Sequence, residues 1–279
     1  MSETAQATEA REGDAQDSRD GLVVNRTHIP YELDGGIGAR ASLGLIVLAT
    51  DGTIEYEFRR VLEALPGVAL YESRILNSAS ITPETLKAME SGIAPATEVI
   101  LPGEPLDVVA YGCTSASMVI GEERVAECIR EARPGVACTT PITAALAGLR
   151  ALGAWRIALL TPYIDEINRF MRDYIEARGI AVPVMGSFNE GDDRKVARIS
   201  PQSVRDAALE LGRSEHVDSV FVSCTNIRLL DVVTELEAGL GKPVTSSNHA
   251  IAWHALRLAG IADPLPQFGG LFTRPPPAA

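Results

Sequence analysis

LDVVAYGCTSAS, residues 106–117, and DSVFVSCTN, residues 218–226, follow one plan: an apolar run, a cysteine at its end, and a threonine directly after it. Continuous apolar runs of this length suit parallel strands covered on both faces. A further strand precedes each at the same spacing. LGLIVLAT (43–50) ends 63 positions before Cys113, and WRIALLTP (155–162) carries Thr161, 63 positions before Cys224. VALYESRI (68–75) and AVPVMGSF (181–188) add one strand to each half, and similar helices, ALAGLRALGA (145–154) and AWHALRLAGI (252–261), follow the cysteine strands. The chain reads as a duplicated α/β unit: two pseudosymmetric Rossmann-like α/β domains with parallel sheets and an interdomain cleft. Ligands of such sheets bind at the carboxyl ends of strands, where both cysteines fall.

The expected division is a mobile N-terminal tail over 1–38, a first domain of 39–142 plus 248–279, and a second of 143–247. Thr82-Pro83 and Ser200-Pro201 each place a capping hydroxyl before a proline at the first helical position. Gly153 and Gly179 mark the ends of helices over 143–152 and 165–178. A helix is expected to start near Gly121, just after the Cys113 turn.

Composition narrows the function classes. A formal charge of −12, without a Lys/Arg stripe, argues against a nucleic-acid partner. The acidic first residues do not read as a signal peptide, and no apolar segment approaches the roughly 20 residues of a membrane span, so a cytoplasmic location is expected. Four cysteines without a CxxC pair read as reduced thiols. The four histidines fit no zinc spacing, and there is no GxGxxG or P-loop, so neither a metal nor a cofactor is expected.

Two of the four thiols stand out. Cys113-Thr114-Ser115 and Cys224-Thr225-Asn226 offer backbone N–H groups and hydroxyls to an anion, and a following helix N-terminus would lower a thiol pKa. A single strand-end cysteine is more often a small buried hydrophobe. Matched positions in a duplication favour chemistry over packing. Cys128, inside a helix, and Cys138, in a short strand, have only the packing explanation.

These motifs, with Ala49-Thr50-Asp51-Gly52-Thr53-Ile54-Glu55, Thr161-Pro162-Tyr163 and the run from Asp192 to Ile199, resemble the aspartate/glutamate racemase superfamily over roughly residues 40–262. Within it the chain is similar to the branch of maleate cis–trans isomerases and arylmalonate decarboxylases. Residues 49–60 and Asp193-Arg194 look most like the subgroup associated with ectoine utilisation. The resemblance implies a cofactor-independent racemase or isomerase in which Cys113 and Cys224 act as an acid/base or nucleophile pair. Thr114, Ser115 and Thr225 would bind the carboxylate of a small substrate, and Tyr163 would donate its phenol to it. Decarboxylases of this branch keep only the cysteine matching Cys224.

Two positions depart from the maleate isomerases, where asparagines stand in place of Asp51 and Asp193. An ionised aspartate only accepts hydrogen bonds and repels a second carboxylate, so an amino acid or N-acyl amino acid is expected instead of a dicarboxylate. Asp193, in a charged run, could equally pair with Arg194. The rival readings are a maleate-type isomerase, an arylmalonate decarboxylase-like enzyme, and a non-catalytic carboxylate-binding protein. The resemblance also implies a homo-oligomer.

Overall fold

In the computed structural model, which describes residue 24 and residues 26–275, the first apolar run becomes strand β1 (Ala41–Leu48), buried at all but one position. The other strands are β2 (Val68–Ile75), β3 (Val108–Gly112), β4 (Ala137–Thr139), β5 (Arg156–Thr161), β6 (Ala181–Ser187), β7 (Ser219–Val222) and β8 (Val244–Ser246). They form two four-stranded parallel sheets of identical order, β2-β1-β3-β4 and β6-β5-β7-β8. The repeat seen as a 63-residue spacing is thus a repeat of topology.

Helices α1 (Ile54–Leu62), α2 (Pro83–Ala88), α3 (Glu90–Glu98), α4 (Thr114–Ile120), α5 (Glu122–Ala132) and α6 (Pro141–Leu152) belong to the first part of the chain. The remainder are α7 (Asp165–Glu176), α8 (Asp193–Val196), α9 (Pro201–Gly212), α10 (Val233–Leu240) and α11 (Ser247–Leu258). Thr82 and Ser200 cap α2 and α9 as the Thr-Pro and Ser-Pro steps predict. Thr140 and Ser246 cap α6 and α11 in the same way, each after the last strand of its sheet, and these two helices pack on one another.

All first-sheet strands lie within 39–142 and all second-sheet strands within 143–247. The described residues from 35 to 275 cluster as a single unit. Residue 24 and residues 26–34 hold no helix or strand, and residues 1–23, most of the expected tail, lie outside the described residues. Among the described residues no helix is long and apolar enough to cross a membrane.

The local expectations around the two cysteines need correction. A helix does start just past Gly121, α5 at Glu122, but a further short helix not expected there, α4, begins at Thr114 directly after the cysteine. The Cys113 carbonyl accepts the Ser117 N–H at 3.1 Å and the Ser117 hydroxyl as well, so the turn closes at once. Gly121, at φ 98°, is the junction between α4 and α5. In the second half no helix follows the cysteine directly, since α10 begins only at Val233. Cys224 itself has φ 119°, which carries the chain away from a helical path. The helix expected over 165–178 ends at Glu176.

Candidate active site

The first thiol owes its position to Gly112. A Cβ there would lie 2.9 Å from the Ile46 carbonyl oxygen and 2.9 Å from Ile54 Cδ1, so only glycine lets β3 finish against β1. Cys113 then becomes the N-cap of α4, with Sγ facing the Ala116 N–H and lying 3.8 Å from Ser115 Oγ. The matching place before Cys224 holds Ser223, buried, its N–H donating to the Leu160 carbonyl at 2.8 Å.

Cys224 is held from three sides. Its N–H donates to Ser247 Oγ at 3.0 Å, and that same oxygen accepts the Thr114 hydroxyl at 2.8 Å, so one serine joins both cysteine turns. The Asn226 N–H donates to Cys224 Sγ at 3.4 Å, and the Tyr163 phenol faces the same sulfur. A φ of 119° in a non-glycine residue is strained by about 1–3 kcal/mol and persists only where surroundings over-determine it. These contacts do so.

Both thiols line one narrow, largely enclosed cavity. Thr114, Ser115, Tyr163, Asp193 and Thr225 line it too, so seven of the eight residues singled out from sequence meet there. Asp51 does not line it. Its Oδ1 accepts the N–H groups of Thr53 and Ile54 at 2.8 and 2.9 Å, at the start of α1, and the carboxyl also faces the Thr225 side chain of the cavity wall. Its Oδ2 is buried without a partner.

Asp193 reaches the cavity from the first turn of α8 and accepts the Thr50 hydroxyl, which in turn accepts Asn77 Nδ2 at 2.7 Å. Arg194 is not its counter-ion, since that guanidinium pairs with Asp192 at 3.1 Å. Among the described residues lining the cavity there is no lysine, arginine or histidine. The site is acidic and rich in hydroxyls.

The electrostatics reverse the expectation that the turns lower the thiol pKa values. Burial pushes the Cys113 thiol up to about 12, outweighing the Ala116 N–H and the Ser115 hydroxyl, and the Asp193 and Asp51 charges push the same way. Cys224 is also raised well above an ordinary thiol, by burial and then by Asp193, against the Asn226 N–H and the Tyr163 phenol. Burial likewise raises the Asp51 carboxyl to about 6, against the hydrogen bonds from Ile54 and Thr53. Both sulfurs therefore rest as thiols at neutral pH.

Sequence reasoning passed over several residues that build this site. Asn226 is 1% exposed and works as a latch: Oδ1 accepts the Gly52 N–H at 2.9 Å, while Nδ2 donates to the carbonyls of Thr50 and Asp193 at 3.3 and 3.1 Å. Its place in the Cys-Thr-Asn motif was the available signal. Asn77, Ser78 and Ser80 come from the loop between β2 and α2, which has no motif to mark it. That loop meets the other half through an antiparallel bridge between Ser80 and Asp192.

This constellation has counterparts in known proteins. A family profile described as arylmalonate decarboxylase matches residues 43–272. Arylmalonate decarboxylase of Bordetella bronchiseptica is 32% identical over 237 residues, 83% of this chain and 96% of that protein. Maleate isomerase of Nocardia farcinica is 30% identical over 238 residues, 82% of this chain and 94% of that protein. The fold matches a structure of a Nocardia farcinica maleate cis–trans isomerase variant holding a covalently bound succinylcysteine intermediate, with a TM-score of 0.76 and 29% identity over 84% of this chain and 98% of that one. Shared topology, a match across most of the chain and identity at this level lead to one conclusion: this chain belongs to the arylmalonate decarboxylase family, the group that also contains the maleate isomerases.

Proposed function

We propose that the chain is a cofactor-independent isomerase or racemase in which Cys113 and Cys224 act as a pair on a small carboxylate. What carries this reading is a single cavity lined by one thiol from each half, with hydroxyl and N–H donors beside both. A proton next to an ionised carboxylate is weakly acidic, so the enolate must be stabilised by aimed donors, each worth roughly 3–4 kcal/mol. In this reading the Ser115 hydroxyl, the Tyr163 phenol and the N–H groups of the two turns would supply them, because the Thr114 and Thr225 hydroxyls already donate to Ser247 Oγ and the Gly112 carbonyl. One sulfur, as thiolate, takes the α-proton; the other, as thiol, gives one back on the opposite face.

The substrate class in this proposal is an amino acid or an N-acyl amino acid derivative. Asp193 is a carboxylate in the cavity wall, which holds no cation among the described residues, and it opposes ionisation of both thiols. A substrate ammonium or amide N–H bound there would offset that charge and make a thiolate accessible only when the site is filled. A role in ectoine catabolism rests on the sequence resemblance of residues 49–60 and Asp193-Arg194 alone. A homo-oligomeric state belongs to the same proposal, and light scattering of the purified chain would test it.

Turnover in deuterated water separates the chemistries. Racemisation places deuterium on the α-carbon of recovered substrate; maleate-type isomerisation through a sulfur adduct, as the succinylcysteine in the Nocardia relative suggests, need not. Carbon dioxide release from an arylmalonate would favour the decarboxylase reading. Binding of carboxylates without any of these would overturn catalysis.

A further inference from the structure

Glu57, on α1, is 3% exposed and has no role in the mechanism above. Its Oε1 accepts the N–H groups of Leu229 and Leu230, both at 2.7 Å, in the segment that leads from the Cys224 turn to α10. Its Oε2 is buried and has no partner. Beside it lies the side chain of Asn248, from the first turn of α11. Asn248 Nδ2 donates to the Thr225 carbonyl at 2.7 Å, and because a carbonyl can only accept, the amide cannot be turned the other way. Asn248 Oδ1 is therefore a second buried oxygen left without a partner.

Two orphan oxygens on neighbouring side chains, neither able to donate, are costly to bury. We propose that Glu57 is protonated in the folded protein and donates from Oε2 to Asn248 Oδ1, making the pair a positioning device for the Cys224–Thr225 turn. One proton satisfies both oxygens. The device grips the turn twice: Asn248 holds the Thr225 carbonyl, while Glu57 holds the chain a few residues on. Ser247, next to Asn248, holds the Cys224 N–H, so α11 and α1 together set the direction of the thiol. The link to catalysis rests on the proposed two-thiol function; the proton itself does not.

Burial is the larger influence: it pushes the Glu57 carboxyl up to about 7, although the N–H groups of Leu230 and Leu229 and the Asn248 amide favour the charged form. The charged group acting on it is Asp231, whose carboxylate raises it further even though it is paired with Arg60 Nη1 at 3.0 Å and the Tyr56 hydroxyl at 3.1 Å. From α11 it meets an uncharged amide. A carboxyl held above its unfolded value of 4.5 contributes stability that is fully present below that value and is lost as pH rises through about 7.

Glu57→Gln keeps an acceptor for Leu229 and Leu230 and offers Asn248 an N–H at every pH. Melting temperatures of the wild-type chain and this variant, measured from about pH 5 to about pH 8, should diverge by several degrees as the wild type loses stability. A constant gap across that range would overturn the proposal. Where the variant does not fold, infrared spectra of Asp51→Asn, which removes the other raised carboxyl, decide: a protonated-carboxyl band present at about pH 5 and lost by about pH 8 supports the Glu57 acid, and absence of the band at about pH 5 overturns it. Neither readout needs turnover, so a failure here is distinguishable from a failure of the two-thiol function. If turnover is found, the variant should also lose an inflection near pH 7 from its kcat/KM profile.

Discussion

The two cysteine turns occupy equivalent places in sheets of identical strand order, yet they are built differently. Cys113 has an ordinary extended φ of −146° and caps a helix directly. Cys224 sits at φ 119°, is followed by irregular chain, and is held by Ser247, Asn226 and Tyr163. Duplication supplied the same topology twice, and local chemistry then made the two thiols unequal. An acid/base pair needs that inequality, because one sulfur must give up its proton while the other keeps it.

The largest effect expected is on turnover. Cys113→Ser and Cys224→Ser should each reduce racemisation or isomerisation by on the order of a thousandfold or more, since a serine hydroxyl is a far weaker acid than a thiol. Circular dichroism should show an intact fold. Full turnover by both variants would remove the pair from the mechanism.

Next in size is thiol reactivity. With the Cys113 pKa raised to about 12, iodoacetamide at neutral pH should label it on the order of a thousandfold more slowly than a free thiol, with labelling rising as pH rises. Peptide mass spectrometry would resolve Cys113 from Cys224. Acceleration of one site by an added amino acid would identify the thiol that ionises in the complex, and fast labelling of both in the free protein would contradict the electrostatics described above.

Asp193 acts on both turns, so changing it tests what they share. Asp193→Asn keeps an acceptor for the Thr50 hydroxyl while removing a charge. It should weaken kcat/KM for an ammonium-bearing substrate by about 10–100-fold, the range of a charged hydrogen bond, while alkylation of both cysteines speeds up. Unchanged kcat/KM would move ammonium recognition away from Asp193.

The smallest effect isolates backbone strain. Glycine accepts φ 119° freely, whereas at φ −146° it relieves nothing. Cys224→Gly should therefore cost about 1–2 kcal/mol less stability than Cys113→Gly in denaturant titrations. Equal losses would mean that Cys224 is not strained.

Much of this was legible in the chain because short-range rules govern it. Apolar runs located the strands, Thr82-Pro83 and Ser200-Pro201 located helix starts, and repeated spacing paired Cys113 with Cys224. Seven of eight expected site residues share the cavity because motif position fixes which strand end a residue occupies. Asp51 is the instructive exception. Its identity said that it could accept from a ligand, but the N–H groups of Thr53 and Ile54 lie closer at hand, and only folded geometry decides between competing donors.

What the sequence by itself determined is the duplicated α/β plan and the presence of one thiol at the matching strand end of each half, because hydrophobic periodicity and residue spacing are local properties. Only the tertiary structure decided that both thiols are buried and protonated, that Cys224 is strained where Cys113 is not, and that Asn226, Ser247, Asn248 and Glu57 hold the second turn in place. Desolvation and hydrogen-bond competition depend on groups more than a hundred residues away along the chain, as in the pairing of Gly52 with Asn226 and of Glu57 with Leu229. No local reading of the chain reaches that far.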